Sequence, residues 1–214
     1  MSIICGTDLS EASSGALDVA RALAAQRGDR EVILVHVVDP EASDGDADVD
    51  ATLDARRTRL EAQAAAAAAA PPGPRVRVEL VIGPIEQTLV GLAETEASDL
   101  IVVAAQSRRE PVPRLGATAG KVIALTHVPV IIVRDPAPWI AFARGTRPLR
   151  VLLGIDDSAT CDLGVQWTLA LAVRGPIDVV LGAIYYPDDA AAYYGLPARS
   201  LVETDPEIER LMQR

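Results

Sequence analysis

Cysteine, histidine and aromatic residues are scarce in this chain of 214 residues: it has two cysteines, two histidines and 3% aromatics. Cys5 and Cys161 are far apart and make neither a metal-type spacing nor a disulfide framework. Cys5 lies inside an apolar run, where packing is its expected role. With two histidines, no Ser-His-Asp or Cys-His set can be assembled, so the sequence does not indicate a catalytic centre.

The chain also lacks an excess of positive charge and lacks long apolar runs. Twenty basic residues stand against thirty acidic ones, a net charge of -10. Nucleic acids and anionic membrane surfaces bind basic patches, so we expect neither as a partner. No apolar run approaches the length of a membrane span, and the N-terminus lacks the pattern of a signal peptide. We therefore expect a cytoplasmic protein, with an aliphatic core because half of its residues are hydrophobic.

An internal repeat is the strongest pattern that is present. Residues 3–10, IICGTDLS, return as residues 151–158, VLLGIDDS, and residues 28–40 align with 175–187 after one deletion. Each copy reads as an apolar strand, an Asp and a Ser at its exit, a helix and a second strand. The second copy stops early. We favour a two-domain protein that has been cut or trimmed, and an accessory half-domain is the alternative.

Strands and helices alternate along the first copy, which predicts right-handed crossovers and a parallel α/β sheet. The second copy supplies a partial β-α-β unit. A proline-rich stretch between them is expected to be a linker. The predicted strands of the first copy are 2–7, 32–38, 76–82, 100–104 and 128–133, and the predicted domains are 1–135 and 149–214 with a linker at 136–148.

Several segments resemble the universal stress protein family. Each is a weak signal by itself, but their order and spacing together are specific. The chain resembles more closely a UspA-like tandem member with an incomplete second domain. The resemblance implies a Rossmann-like, adenine nucleotide alpha hydrolase-like sheet of five strands in the order 3-2-1-4-5, with helices on both faces. It also implies pairing through the last strand and, in many members, bound ATP or AMP. The supporting segments are GTDLS at 6–10, LVHVVD at 34–39, VIGP at 81–84, SDLIVV at 98–103 and the stretch 115–134.

The resemblance implies a nucleotide where the strand order reverses, between strands one and four, which is also where open α/β sheets generally bind ligands. Thr7 and Asp8 leave strand one there, and Asp8 matches the acidic residue at the nucleoside. Capping of the following helix is an equally good role for that carboxylate. Val37 matches the position whose backbone meets adenine. His36, inside an apolar strand, is expected to be a core histidine.

The phosphate loop departs from the family pattern of Gly, two residues, Gly, nine residues, then Gly-Ser or Gly-Thr. Ala105 and Arg108 occupy the two glycine positions, and the span to Gly116 is two residues shorter. Ala117 replaces the hydroxyl residue, and Thr118 is one step away. Arginines 108, 109 and 114 either compensate by binding phosphate or form a solvated basic loop.

Two functions follow as expectations. The first is a stress-response regulatory protein that binds ATP or AMP, without a metal and with at most weak ATP hydrolysis. The second is a member that binds no nucleotide and acts by docking an unknown protein partner or by pairing, as a homodimer or an intramolecular pseudo-dimer, through strand 128–133. An adenylating enzyme or electron-transfer flavoprotein fits less well, because the loop Thr7-Asp8-Leu9-Ser10 has no glycine.

Overall fold

The computed structural model describes residues 2–40, 49–69, 73–105, 116–156 and 158–183. The chain divides into two compact units, which we describe separately. The first contains Met1–Leu149 with Arg174–Pro176, and the second contains Arg150–Val173 with Ile177–Arg214.

A five-stranded parallel sheet forms the centre of the first unit, and its order, β3-β2-β1-β4-β5, is the predicted one. Strand β1 is buried along its whole length, as expected for a parallel strand covered on both faces. The strands are β1 (Ser2–Gly6), β2 (Glu31–Val38), β3 (Arg75–Ile82), β4 (Leu100–Ala104) and β5 (Val130–Val133).

Helices cover both faces of this sheet. The chain moves from β1 outward to β3 and then crosses back to β4 and β5. Right-handed crossovers therefore place α1 and α2 on one face and α3 and α4 on the other. Ile4, Ile33, Leu89 and Val122 belong to the buried cluster under α3 and α4. The helices are α1 (Glu11–Arg27), α2 (Val49–Ala68), α3 (Ile85–Thr95), α4 (Ala117–Leu125) and α5 (Ala137–Ala143).

The ends of α1 are set by its sequence. The Ser10 side chain accepts a hydrogen bond from the Ser13 backbone N–H, which satisfies one of the free donors of the first turn. Gly28 ends the helix with φ 74°, a left-handed conformation that glycine adopts at little cost.

The stretch predicted as a linker, 136–148, is not irregular, because it contains α5. Two of the three prolines that suggested a linker, Pro136 and Pro138, lie at the start of this helix, where a missing N–H costs nothing. Phe142, the single Phe of the chain, is fully buried at the other end. A Cβ added to Gly175 would lie 2.9 Å from Cε2 of the Phe142 ring, so the ring needs a glycine at that position.

The second unit begins as the repeat predicts, with strand β6 (Leu149–Gly154), helix α6 (Ala159–Ala172) and strand β7 (Ile177–Gly182). The two strands form their own sheet. The Ile155 N–H donates to the Gly182 carbonyl at 2.9 Å. Residues 184–214 lie outside the described residues.

Cys5 has the packing role that its sequence context predicts. Its thiol is completely buried in β1, and burial, with a smaller contribution from the charge of Asp18, raises the pKa of Cys5 to about 12. A thiol held neutral in this way is chemically inert at physiological pH.

Substitutions at the Phe142–Gly175 contact test its contribution to stability. Phe142→Ala removes a fully buried ring and is expected to lower the free energy of unfolding by about 3–5 kcal/mol. Gly175→Ala adds a methyl group against the ring and is expected to cost about 1–3 kcal/mol. In the double variant the methyl group no longer meets the ring, so the two losses should fall short of their sum. Urea denaturation measures all three.

Gly91→Ala is the matched control, because nothing lies within 4 Å of a Cβ added at this position in α3. It should stabilise the protein by about 0.5–1 kcal/mol through helix propensity. Strictly additive losses at Phe142 and Gly175 would contradict the packing described here.

Candidate functional site

The strand order reverses at β1, whose neighbours are β2 and β4. Helix α1 leaves β1 toward one face of the sheet, whereas the chain after β4 leads to α4 on the other face. The carboxyl ends of these two strands therefore border a cleft in the first unit, as at other topological switch points. The predicted residues Thr7, Asp8, Ala105 and Gly116 all lie at this edge.

The hydroxyl of Thr7 ties together three elements. It lies 2.9 Å from both Ser13 Oγ and Gln63 Oε1, and it accepts a hydrogen bond of 2.9 Å from the Leu9 backbone N–H. The residue is only 9% exposed. The Thr7 side chain thus joins the end of β1 to α1 and α2 and is engaged within the protein.

Asp8 organises the turn that follows. Its Oδ1 accepts a hydrogen bond of 3.0 Å from the Ser10 N–H, and Leu9 between them has φ 63°. Partial burial alone would raise the pKa of Asp8, but hydrogen bonds involving Ser10 and Ser13 outweigh it and lower that pKa. The predicted capping role falls to Ser10, whereas Asp8 forms the turn that leads into α1. The side chain also remains exposed, and its carboxylate is ionised at neutral pH.

The second unit repeats two hydrogen bonds of this segment. Asp156 Oδ1 accepts a hydrogen bond of 2.9 Å from the Ser158 N–H, and the Ser158 side chain accepts one of 3.2 Å from the Cys161 N–H. Hydrogen bonds from Ser158 lower the pKa of Asp156. The repeated Asp-x-Ser sequence is therefore a local folding signal in both units.

Strand β2 extends beyond the end of β1, so Val37 lies past the last residue pair between the two strands. The Thr7 N–H donates to the Val35 carbonyl at 2.9 Å, and the Gly83 N–H donates to the Val38 carbonyl at 3.0 Å. Odd-numbered residues of β2 therefore point their peptide groups toward β1, and even-numbered ones toward β3. Since β1 ends opposite Val35, the peptide groups of Val37 point past its end.

His36 is the core residue that its sequence context predicts. It is 8% exposed, and its Nδ1 lies 2.8 Å from the Thr7 carbonyl oxygen, so Nδ1 carries the proton. The buried Nε2 has no hydrogen-bond partner among the described residues. Burial lowers the pKa of His36; the nearby Arg56 contributes in the same direction, while the bond to Thr7 opposes it.

Gly116 brings the start of α4 against the end of β4. Its N–H donates to the Ala105 carbonyl at 3.2 Å, and a Cβ at this position would lie 2.9 Å from that oxygen. The helix then begins with Ala117 and Thr118, without a side-chain cap and without an acidic residue in its first turn. Arg108, Arg109 and Arg114 lie outside the described residues.

Sequence analysis missed Gln63 and Arg59 of α2. Gln63 bonds Thr7 as described, and its Nε2 donates to Ser14 Oγ at 2.8 Å, while Arg59 reaches the Leu9 carbonyl at 3.4 Å. Gln63 was detectable, because it follows the buried Leu60 by three residues and therefore lies on the inward side of the helix.

The described ranges contain neither a metal-binding cluster nor a membrane-spanning helix. No group of three His, Cys, Asp or Glu side chains there is placed to hold a metal ion. None of the helices in those ranges combines the length and the apolar composition needed to cross a membrane.

The neutral state of His36 predicts a pH dependence. Because its pKa is lowered in the folded protein, the unfolded chain binds the proton more readily, starting near pH 6.5. Stability should therefore fall as the pH drops below about 6.5, by at most about 1.4 kcal/mol per pH unit from this residue. His36→Asn, which keeps an N–H near the Thr7 carbonyl, should flatten the profile of unfolding free energy between about pH 5 and 7.

The matched control is His127→Gln, at the only other histidine, which is exposed. It should leave the profile unchanged. Equal profiles for His36→Asn and the unmodified protein would show that His36 is not held neutral by the fold.

Comparisons with known proteins agree with this architecture. The family model described as the universal stress protein family matches residues 1–134. Universal stress protein UspA from Lactobacillus plantarum is 24% identical, with a TM-score of 0.53 over 63% of this chain and 97% of that one. A universal stress protein from Archaeoglobus fulgidus DSM 4304 is 18% identical, with a TM-score of 0.63 over 91% of this chain and 71% of that one.

None of the curated proteins with which the chain was compared matches it. The two structural likenesses are distant in sequence and show the fold alone. The family match is stronger, because it spans more than half of the chain and covers the whole five-stranded sheet. The chain belongs to the universal stress protein family.

Proposed function

We propose that this protein is a cytoplasmic stress-response regulator that binds an adenine nucleotide, AMP or ATP, at the carboxyl ends of β1 and β4. The observation that carries the proposal is the extension of β2 past β1. It directs the N–H and C=O of Val37 into the cleft, where a planar base can form hydrogen bonds with the backbone. A carbonyl and an N–H on one residue suit the adjacent donor and acceptor of the adenine edge.

Asp8 supports the nucleoside half of this proposal. Its carboxylate is exposed and ionised, because hydrogen bonds lower its pKa, and only Oδ1 is engaged by the Ser10 N–H. The remaining acceptor capacity suits a ribose hydroxyl or the adenine amino group. The turn-forming role and the ligand-binding role of Asp8 are therefore compatible.

The start of α4 supports the phosphate half. The backbone N–H groups of its first turn, including those of Ala117 and Thr118, have no side-chain cap and no acidic neighbour on the same turn. Such helix N-termini attract phosphate. The close approach of Gly116 to Ala105 keeps this helix end beside β4. Ala105 and Arg108 at the family's glycine positions reduce the backbone contacts to a longer phosphate chain, so AMP is the better candidate.

Regulation by binding, and not catalysis, is the role we propose. The cleft offers one ionised carboxylate and a helix end, and the nearest histidine is engaged with the Thr7 carbonyl. No general base and nucleophile lie within hydrogen-bond reach of one another among the described residues of the cleft, so ATP hydrolysis should be at most weak.

Nucleotide binding is tested by denaturing the purified protein and analysing the released small molecules by mass spectrometry, followed by titration with AMP and ATP. We expect AMP or ATP to be released or taken up at one site per chain. Asp8→Ala should weaken binding by about tenfold or more, the loss expected for a charged hydrogen-bond acceptor.

Asp156→Ala is the matched control, since it removes the same turn from the second unit. It should leave the binding of nucleotide to the first unit unchanged. If the purified protein releases no nucleotide and takes up neither AMP nor ATP, the proposal is wrong.

Pairing between chains through β5 is a second candidate, favoured by the edge position of this strand. Val130 and Ile132 point their peptide groups away from β4, because the Ile101 and Ala105 N–H groups bond the carbonyls of Pro129 and Val133. Ile123 and Leu125 on the adjacent α4 are 46% and 49% exposed. An apolar edge with free peptide groups favours the addition of a strand from another chain.

Size-exclusion chromatography with light scattering tests the pairing. We expect a dimer, and we expect Ile132→Pro to give a folded monomer, because proline removes an outward N–H that the sheet itself does not use. Ile132→Val keeps that N–H and should remain dimeric. An unmodified protein that stays monomeric at high concentration would exclude this role.

A further inference from the structure

A groove between α1 and α2 in the first unit begins beside Leu9, in the turn that follows β1. Its volume is about 360 Å³, within the range of small-molecule sites. From α1 it is lined by Leu17 and Asp18, and from α2 by Arg59, Ala62 and Ala66. The groove therefore combines apolar walls with a small number of charged groups, the composition that is typical of ligand pockets.

Hydrogen bonds at two positions along α1 and α2 hold the groove open. Gln63 donates to Ser14 at 2.8 Å, and the buried Arg21 side chain donates to the Ala67 carbonyl. These bonds keep the helices apart, and the side chains of Ala62 and Ala66 are too small to fill the space between them. The void is thus present because alanine occupies these positions and the hydrogen bonds between the helices prevent them from moving closer together.

Two opposite charges line this space, and neither forms an ion pair with another residue that the structure describes. Arg59 is exposed and makes a contact of 3.4 Å with the Leu9 carbonyl, while Asp18 belongs to none of the ion pairs found among the described residues. Because Gln63 bonds Ser14, these two residues lie at the same height along the two helices. Arg59 precedes Gln63 by four residues, and Asp18 follows Ser14 by four. The backbones of Arg59 and Asp18 are therefore about 12 Å apart along the parallel helices.

The surroundings decide which ligand suits each end. Partial burial raises the pKa of Asp18, and the smaller influence of Arg21 and Arg144 lowers it. Arg59 and Asp18 are the two charged residues of the lining, and the positive charges of Arg21 and Arg144 disfavour a cation beside Asp18. Hydroxyl groups, as neutral donors, satisfy a carboxylate in that setting. Arg59 in turn suits phosphate or carboxylate.

We propose that this groove binds a small phosphorylated polyol, with its phosphate on Arg59 and its hydroxyls on Asp18. Gln63 and Ser14 lie between the two ends and add polar contacts. This second site does not depend on nucleotide binding at the strand ends, which involves Asp8 and the start of α4.

The probe is glucose 6-phosphate, whose binding to the full chain is measured by calorimetric titration. Glucose and inorganic phosphate, which represent its two halves, are titrated separately. We expect one site, with each half binding at least about tenfold more weakly than the whole. Arg59→Gln should remove the advantage of glucose 6-phosphate over glucose, and Asp18→Asn should remove its advantage over inorganic phosphate. Ala66→Leu should block the site while preserving the helix, because alanine and leucine are both strong helix formers.

Arg57→Gln and Glu61→Gln are the matched controls, since both residues are exposed on α2 and do not line the groove. Both should bind the probe like the unmodified protein. The proposal is wrong if glucose 6-phosphate does not bind, if inorganic phosphate binds equally well, or if Ala66→Leu binds unchanged. Loss of AMP binding in Asp8→Ala with retained sugar phosphate binding would separate the two sites.

Discussion

The first unit depends on the central position of β1, which is buried on both faces and pairs on both edges. A strand in that position must carry apolar side chains throughout, so the first polar groups can appear only where it ends. Right-handed crossovers then send the chain to opposite faces on either side of it. The polar turn after Gly6 and the start of α4 are therefore brought to one cleft by topology, before any ligand is considered.

The hydroxyl of Thr7 converts this arrangement into a fixed geometry. Its contacts with Ser13, Leu9 and Gln63 connect the end of β1 to both helices of one face. Gln63 continues the connection to Ser14, which borders the groove between α1 and α2. The cleft and the groove are thus shaped by one set of buried polar bonds, which are strong where water is excluded. Two distinct surfaces of the unit owe their shape to the same few side chains.

The sheet was predictable because its causes are local. Apolar runs of strand length, a serine cap before Glu11 and a glycine after Arg27 specify their elements without reference to the rest of the chain. Helix α5 was not predictable in this way, because its prolines suit a helix start and a linker equally, and burial of Phe142 decides between them. The spacing of Gln63 from Leu60 places it on the inward side of α2, but its partners and the contact of Arg59 depend on how α2 is rotated against α1. Periodicity alone leaves that rotation undetermined across an alanine-rich helix.

The two copies of the Asp-x-Ser turn separate folding from binding. Asp8 and Asp156 make the same hydrogen bonds, so this part of the repeat is explained by the start of a helix after a strand. The repeated aspartate is therefore insufficient evidence for a nucleotide in either unit. The first unit adds the extension of β2 past β1 at Val37 and the start of α4, which supply backbone donors and acceptors that the turn does not use. Main-chain groups therefore supply most of the contacts that a ligand would make there, and the side chain of Asp8 adds one ionised acceptor.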